Sequence, residues 1–336
     1  MRKRARVIYN PTSGREILKS KMIDILNVLE HAGYETSAFE TTPVPNSACN
    51  EAIRAAKEGF DLVVAAGGDG TINEVVNGIA PLQHRPAMAI IPAGTTNDFA
   101  RALHIPRADP VAAARIILKK ETFKMDIGKA NQNYFINIAG GGLLTELTYD
   151  VPSDLKTVFG YLAYLVKGAE LLPRIRPIKM DLRYDGGHFV GQASMFLLAM
   201  TNSIGGLERV VPNASLDDGK FTMIIVKTSN LIQILRLLAE VINGHHVHDP
   251  RIIYQKTSQL IAKPINNKME INLDGEYGGN APMTFKNLKQ HIKIFANLDE
   301  MPRHALVSKV THQVFPGQER ATEKKFLNRV NRLFRF

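Results

Sequence analysis

The residues densest in chemistry are Gly67-Gly68-Asp69-Gly70-Thr71, followed by Ile72, Asn73 and Glu74. Glycines lacking Cβ let phosphate oxygens reach backbone N–H groups, and a helix start behind them turns the positive end of its dipole toward the anion. Asp69 is the odd member, because a carboxylate beside phosphates is repelled unless a metal ion or a proton transfer intervenes. The combination points to phosphoryl transfer. It is not a Walker A loop, since no Gly-Lys-Ser/Thr follows at the required spacing, and Asn73 replaces the third glycine of a dinucleotide fingerprint. The structural alternative is a tight strand-to-helix turn with Asp69 as its cap.

Such a loop needs a strand before it and a helix after it. Leu62–Ala66 reads as a fully buried parallel strand, and Ile72, Val75, Val76 and Ile79 begin a helical period. Arg4–Asn10 is a further strand, ending in the turn residues Asn10-Pro11-Thr12-Ser13-Gly14. A helix to Gly33, a strand at Tyr34–Glu40, a helix at Ala48–Lys57 and a strand at Ala87–Ile91 broken by Pro92–Asp98 continue the alternation. Helices are predicted near Phe99–Leu103 and Pro110–Lys119. This order predicts a doubly wound parallel sheet, in which ligands bind beyond the strand C-termini. The loops at Asn10–Gly14, Gly67–Thr71 and Pro92–Asn97 should therefore meet at one crevice.

Beyond Phe123 the rhythm changes to strands and turns. A hairpin is predicted for Phe123–Ala130 and Tyr134–Ala139. Strands follow at Ile178–Tyr184, Phe189–Met200, Phe221–Val226, Gln259–Ala262, Met269–Leu273 and Ile292–Phe295, with helices at Val158–Leu172 and Leu231–Ile242. The expected organisation is an α/β nucleotide-binding domain over 1–125, completed by a returning segment near 295–317. A mainly antiparallel β-sandwich over 126–294 and a basic tail over 318–336 complete it.

At 336 residues, 45% hydrophobic and 22% charged, the chain can bury a sizeable core. The single cysteine, Cys49, excludes an internal disulfide framework. No apolar run approaches the roughly 18 residues of a membrane span, so an intracellular, non-integral protein is expected. The net charge is +10, and residues 301–336 hold eight Lys/Arg against Glu319 and Glu323. That bias predicts an anionic partner, a nucleic acid or the cytoplasmic membrane leaflet.

Gly67–Thr71 with Asn73-Glu74 resembles the signature shared by diacylglycerol kinases, sphingosine kinases and NAD kinases. Pro92-Ala93-Gly94-Thr95-Thr96-Asn97-Asp98-Phe99-Ala100-Arg101 resembles the second nucleotide loop of the diacylglycerol-kinase catalytic domain, and Leu273-Asp274-Gly275-Glu276 its late acidic motif. The likeness spans about residues 1–300 and is closest to the soluble bacterial diacylglycerol kinases that return diacylglycerol to phospholipid synthesis.

It implies an NAD-kinase/phosphofructokinase-like first domain with ATP as phosphoryl donor and Mg²⁺ as cofactor. ATP would contact Asn10, Pro11, Thr12, Ser13, Gly14, Thr41, Gly67, Gly68, Asp69, Gly70, Thr71, Ile72, Asn73, Glu74 and Thr95. Glu276 would be the general base accepting the proton of the lipid hydroxyl; taken alone it reads as a solvated turn residue. The resemblance further implies a Mg²⁺ held by the Asp218 carboxylate and by main-chain oxygens of Ser215 and Lys220, with Asp217 facing the crevice and joined to Asp69 through the metal's water shell. Leu216–Lys220 by itself reads as a hairpin turn. A homodimer is implied as well.

Related kinases acting on phosphatidylglycerol, a sphingoid base or NAD are the nearest alternatives. A nucleic-acid-binding protein is the alternative of another class, and none is expected as a partner because no aromatic-rich stacking motif is present. His245, His246 and His248 lack helical ligand spacing and read as a solvated loop. In the tail, Phe326, Leu327, Val330, Leu333 and Phe334 recur at spacings of three and four, with Lys324, Lys325, Arg329, Arg332 and Arg335 largely between them. This predicts a basic amphipathic helix that docks on an anionic membrane holding diacylglycerol, as against a frayed or self-packed end. Arg15 and Lys167 are further candidates at the crevice mouth.

Overall fold

The computed structural model describes residues 2–142, 177–203, 211, 213–227 and 249–308. Its first half alternates as the periodicity predicts: β1 (Lys3–Tyr9), α1 (Ile17–His31), β2 (Tyr34–Glu40), α2 (Ser47–Lys57), β3 (Leu62–Gly67), α3 (Asp69–Ile79) and β4 (Ala87–Pro92). Every residue of β3 is buried, as a strand covered on both faces requires. On α1, Leu18, Ile25 and Leu29 are buried, and on α2 Ala48, Ala52 and Ala55, so each helix lays one stripe on the sheet.

The strands run in the order β2-β1-β3-β4, all parallel. Tyr9 pairs with both Glu40 and Ala66, and Gly67 with Pro92, so the strand C-termini finish nearly level. That register brings the three polar loops to one edge. Helix α3 begins at Asp69, three residues before the predicted start, because an extended Gly68 caps it and Asp69 complements the dipole within the first turn.

After α4 (Asp98–Ala102), α5 (Pro110–Arg115) and a 3-10 turn at Ile116–Lys119, the chain enters β5 (Thr122–Ala130) and β6 (Asn133–Phe135), the predicted hairpin. The run expected to continue to Ala139 breaks after Phe135, and β7 (Ile138–Gly142) passes into a second sheet. The single strand predicted at Phe189–Met200 likewise divides at Ser194 into β9 (Gly187–Ala193) and β10 (Met195–Ala199), one in each sheet. A sandwich needs such crossings, and the lone polar residues at them, Asn137 and Ser194, are too few to read as turns. The other strands are β8 (Ile178–Tyr184), β11 (Phe221–Val226), β12 (Ile252–Thr257), β13 (Gln259–Pro264), β14 (Glu270–Leu273), β15 (Glu276–Asn280) and β16 (Met283–Phe295). The sequence reading did not anticipate β12 and β15.

The 13-residue β16 ties the two halves together. Ile294 pairs with Met88 of β4 in parallel, while Met283–Lys286 pair antiparallel with β13. Among the described residues one ten-stranded sheet thus runs from β2 through β16 to β9, and a six-stranded antiparallel sheet, β12-β11-β10-β7-β14-β15, covers its second half. Phe135, Leu182, Leu260 and Phe285 from one layer meet Phe196, Met223 and Ile271 from the other in the sandwich core. The returning residues Ala296, Met301, Ala305 and Leu306 join the core of the parallel sheet. No helix among the described residues is long and apolar enough to cross a membrane. The predicted helices at Val158–Leu172 and Leu231–Ile242, the three histidines, Lys167 and the tail candidates Lys324, Lys325, Arg329 and Arg332 lie outside the described residues, as does the side chain of Arg15.

Candidate active site

The three loops meet by backbone contact. The Asn10 N–H donates to the Ala66 carbonyl at 2.9 Å, and the Ala93 N–H to that of Gly67 at 2.8 Å. The Thr41 N–H donates to the Tyr9 carbonyl at 2.9 Å, which sets Thr41 beside the first loop. Asn10 closes its own turn by accepting at Oδ1 from the Thr12 N–H and hydroxyl. A Cβ on Gly14 would meet the Ala93 carbonyl at 2.7 Å, and one on Gly94 the Gly68 Cα at 2.8 Å. The glycines therefore permit loop-on-loop packing as well as phosphate approach.

Pro11, Thr12, Ser13 and the exposed Thr95 stand on the same edge. If the loops hold ATP, as the resemblance implies, Gly94→Ala should raise its KM about tenfold through displacement of the Gly68 backbone, with kcat falling less, since ground-state nucleotide contacts would bear most of the change. Initial rates against ATP concentration measure this, and an unchanged KM would contradict the loop-on-loop account.

Asp69 lies largely buried at the start of α3. Its Oδ2 accepts from the Asn97 N–H at 3.1 Å, and Asn97, at φ 49°, clamps Gly94 through both side-chain amide atoms. Burial above all, and then the neighbouring carboxylates Asp98 and Asp274, push the Asp69 carboxyl up to about 6.

Other side chains of the signature turn elsewhere. Ile72 is fully buried in the sheet core, so only its backbone could reach a nucleotide. Glu74 Oε2 accepts from the Ala48 N–H at 2.9 Å and caps α2, whose first N–H groups need an acceptor. Thr71 curls back over Gly67, its Oγ1 2.6 Å from where a Gly67 Cβ would stand. Asn73 reaches across to the second half of the chain.

That reach holds the site together. Asn73 Nδ2 donates to Asp274 Oδ2 at 2.8 Å, and the same oxygen accepts from the Ile136 N–H at 2.8 Å. Asp274 Oδ1 accepts from the N–H groups of Asn137 and Ile138 at 2.8 and 2.9 Å. Four donors on two oxygens are the partners an ionised carboxylate takes. Burial pushes the Asp274 carboxyl up, and these donors pull against it. The break between β6 and β7 exists because Asp274 takes those N–H groups from the ladder. Asn77 bonds both the Tyr134 N–H and carbonyl, and the Ser203 hydroxyl donates to buried Asp98 at 2.6 Å. Asp274 belongs to the late acidic motif Leu273–Glu276, and that placement is the sequence signal for its role.

Asp274-Gly275 is the turn between β14 and β15, with φ of 52° and 98°. Anchoring it aims the next residue. Glu276 is exposed, and its Oε1 lies 3.2 Å from the position a Cβ on Gly70 would occupy. A carboxylate from the antiparallel sheet thus stands over the glycine loop of the parallel one.

The Ser215–Lys220 turn differs from expectation. Asp217 is buried, and its oxygens accept from the N–H groups of Val307 at 2.6 Å and Ser308 at 3.0 Å, with the Ser215 hydroxyl at 3.3 Å. It caps that segment and does not present a free carboxylate to the crevice. Asp218 Oδ2 pairs with Lys256 Nζ at 2.7 Å, and its Oδ1 accepts from the Lys220 N–H. Asp126 of β5, which sequence reading passed over, accepts from the Gly219 N–H and, at 2.7 Å, from that of Gln290. Burial first, with Asp218 and Asp217 adding to it, pushes the Asp126 carboxyl up to about 6. The oxygen donors there are of the kind a hard cation takes, and Lys256 already meets part of that negative charge.

Comparisons with known proteins agree on one family. A model described as the diacylglycerol kinase catalytic domain matches residues 4–130, and one described as the YegS C-terminal NAD kinase beta sandwich-like domain matches 148–296. The chain is 52% identical over 292 residues to a diacylglycerol kinase of Bacillus subtilis (strain 168), covering 87% of this chain and 96% of that protein. It is 49% identical over 299 residues to one of Staphylococcus aureus (strain Newman), covering 89% and 94%. A solved structure of a diacylglycerol kinase from Bacillus anthracis str. Sterne shares the fold with a TM-score of 0.70 at 24% identity, covering 88% of this chain and 97% of that one. Another structure from that organism gives 0.77 at 27% identity, covering 88% and 96%.

Proposed function

The chain belongs to the diacylglycerol kinase family, and from that premise we propose that it transfers the γ-phosphoryl group of ATP to the free hydroxyl of 1,2-diacylglycerol, giving phosphatidic acid and ADP. A divalent-metal dependence follows from the kinase family in general; we take the ion to be Mg²⁺. The observation that carries the reading is the Glu276 carboxylate standing over Gly70. The γ-phosphate is to lie at the start of α3, where backbone N–H groups and the dipole favour it. The hydroxyl oxygen attacks phosphorus in line, the bond to the β–γ bridging oxygen breaks, and Glu276 accepts the hydroxyl proton. Asp69 would hold the ion directly or through water, and Asp218 with the carbonyls of Ser215 and Lys220 would hold a second. The ion, when bound, neutralises phosphate charge.

Phosphoryl transfer from γ-labelled ATP to a panel of diacylglycerol, phosphatidylglycerol, a sphingoid base and NAD tests this. Labelled phosphatidic acid is the expected product, and label on NAD with none on lipid would overturn the reading. The same assay addresses membrane docking. A chain lacking 318–336 should lose about tenfold in rate on anionic vesicles, since each basic residue near such a surface adds about 1 kcal/mol before screening. Its rate on detergent-dispersed diacylglycerol should hold, and equal loss in both formats would dismiss the tail as a membrane anchor. Return of the product to phospholipid synthesis is the role this activity would serve.

A further inference from the structure

A cavity of about 760 Å³ opens at the opposite end of the parallel sheet from the crevice, among the starts of β1 to β5 and the end of β16. A six-residue strand separates the two ends by on the order of 20 Å. Among the described residues five Lys/Arg line it, namely Arg2, Lys3, Arg85, Lys120 and Lys293, against the one carboxylate of Asp61, a formal excess of four positive charges. Arg85 is committed to the carbonyls of Leu82 and His291, and Asp61 to the Arg4 N–H. Lys3, Lys120 and Lys293 stand exposed. Tyr34 and Phe295 supply an aromatic floor, while the Phe60 ring that also lines it is stacked by the Arg4 guanidinium, 4.0 Å from its centroid.

A cleft lined by one sign of charge focuses its field on an anion. Its volume falls in the range of small-ligand sites. We propose that this cavity binds a phosphomonoester dianion, with Lys3, Lys120 and Lys293 closing on the phosphate and the aromatic floor receiving the group that carries it. The phosphatidic acid of the proposed reaction bears that group, so the lipid source rests on the proposed function; soluble phosphomonoesters bear it too, and that source does not. Lipid bound here would sit apart from the reacting centre.

The test is calorimetric titration of the full chain, saturated with ADP so that the nucleotide loops are filled. The probes are inorganic phosphate, glycerol 3-phosphate, dioctanoyl phosphatidic acid as monomer and, as a diester control, dioctanoyl phosphatidylglycerol. Monoester binding should weaken about tenfold or more in Lys120→Glu/Lys293→Glu, the equivalent of 1.4 kcal/mol. Turnover without added phosphomonoester should stay at the wild-type rate. Lys120→Ala/Lys293→Ala gives the same comparison should charge reversal impair folding.

Binding of inorganic phosphate and of both monoesters identifies a free phosphate source, and binding of phosphatidic acid alone a lipid headgroup; either supports the site provided the variants weaken it. Binding that the variants leave intact, equal binding of the diester, or no binding up to on the order of 10 mM would overturn the proposal. Because binding is read with ADP present and no turnover, failure here leaves the kinase reading standing. Absence of phosphatidic acid production in the transfer assay would remove only the lipid source.

Discussion

Glu276→Gln should lower kcat on diacylglycerol about a thousandfold, within the range that a positioned general base contributes, while the KM for ATP changes little. Glutamine keeps the size and hydrogen-bonding reach of the side chain but cannot take the proton. Glu276 lies in an exposed position at the head of β15, so the exchange should leave folding untouched. Initial-rate kinetics with a thermal melt on the same preparation measure both. A variant that turns over within about threefold of wild type would remove Glu276 as the base, because loss of a base costs at least a hundredfold.

Asp274→Asn tests the support beneath that base. Asparagine tolerates the left-handed backbone at φ 52°, so the change isolates charge and hydrogen bonding. Each Asp274 oxygen accepts two donors. Whichever way the amide turns, its NH₂ faces two N–H groups and leaves them without an acceptor. The expected cost is about 2–3 kcal/mol of stability, from stranding buried donors. Because the β14–β15 turn shifts, kcat should fall about a hundredfold, the penalty of displacing a reacting group by about 1 Å.

A purely structural role would lower the melting temperature and spare kcat of the folded fraction. A positioning role predicts that Asp274→Asn combined with Glu276→Gln is no slower than Glu276→Gln alone, since both act through one carboxylate. Additive losses would show that Asp274 acts through something other than Glu276.

Much of the parallel sheet was legible because burial on both faces writes itself as unbroken apolar runs. Leu62–Ala66 lies within the fully buried β3, whereas Tyr34–Glu40 coincides with the edge strand β2, in which no residue is fully buried. The level ends of those strands put the loops at Asn10, Gly67 and Pro92 together, as the topology required. The sandwich was less legible. The stretch Phe189–Met200 holds Gly191, Gln192 and Ser194 among its apolar residues, and Ala193 and Phe196 on either side of the break are buried in the same core, so no turn signal sets the crossing apart. Strand β15, Glu-Tyr-Gly-Gly-Asn, has neither alternation nor β-branched residues, and its pairing with β14 sustains it.

In the signature, glycine spacing announced a phosphate loop, since the absence of Cβ is a property of the residue itself. Which polar side chains face that loop is a property of the neighbours. Glu74 was drawn to the α2 N-terminus, Asn73 to Asp274, and Asp217 to the N–H groups of Val307 and Ser308, each because an unsatisfied buried donor or acceptor lay nearer than solvent.

The amino-acid sequence by itself determined the alternation of strands and helices, the glycine loop at the third strand, and the presence of a carboxylate at position 276. Only the tertiary structure decided that this carboxylate stands over Gly70, some 200 residues away in the chain. The reason is Asp274: a largely desolvated carboxylate needs several donors at once, and the donors it found belong to α3 and to Ile136–Ile138, where β6 gives way to β7. No local pattern encodes that meeting, because it is settled by which buried groups the two sheets leave unpaired when they close.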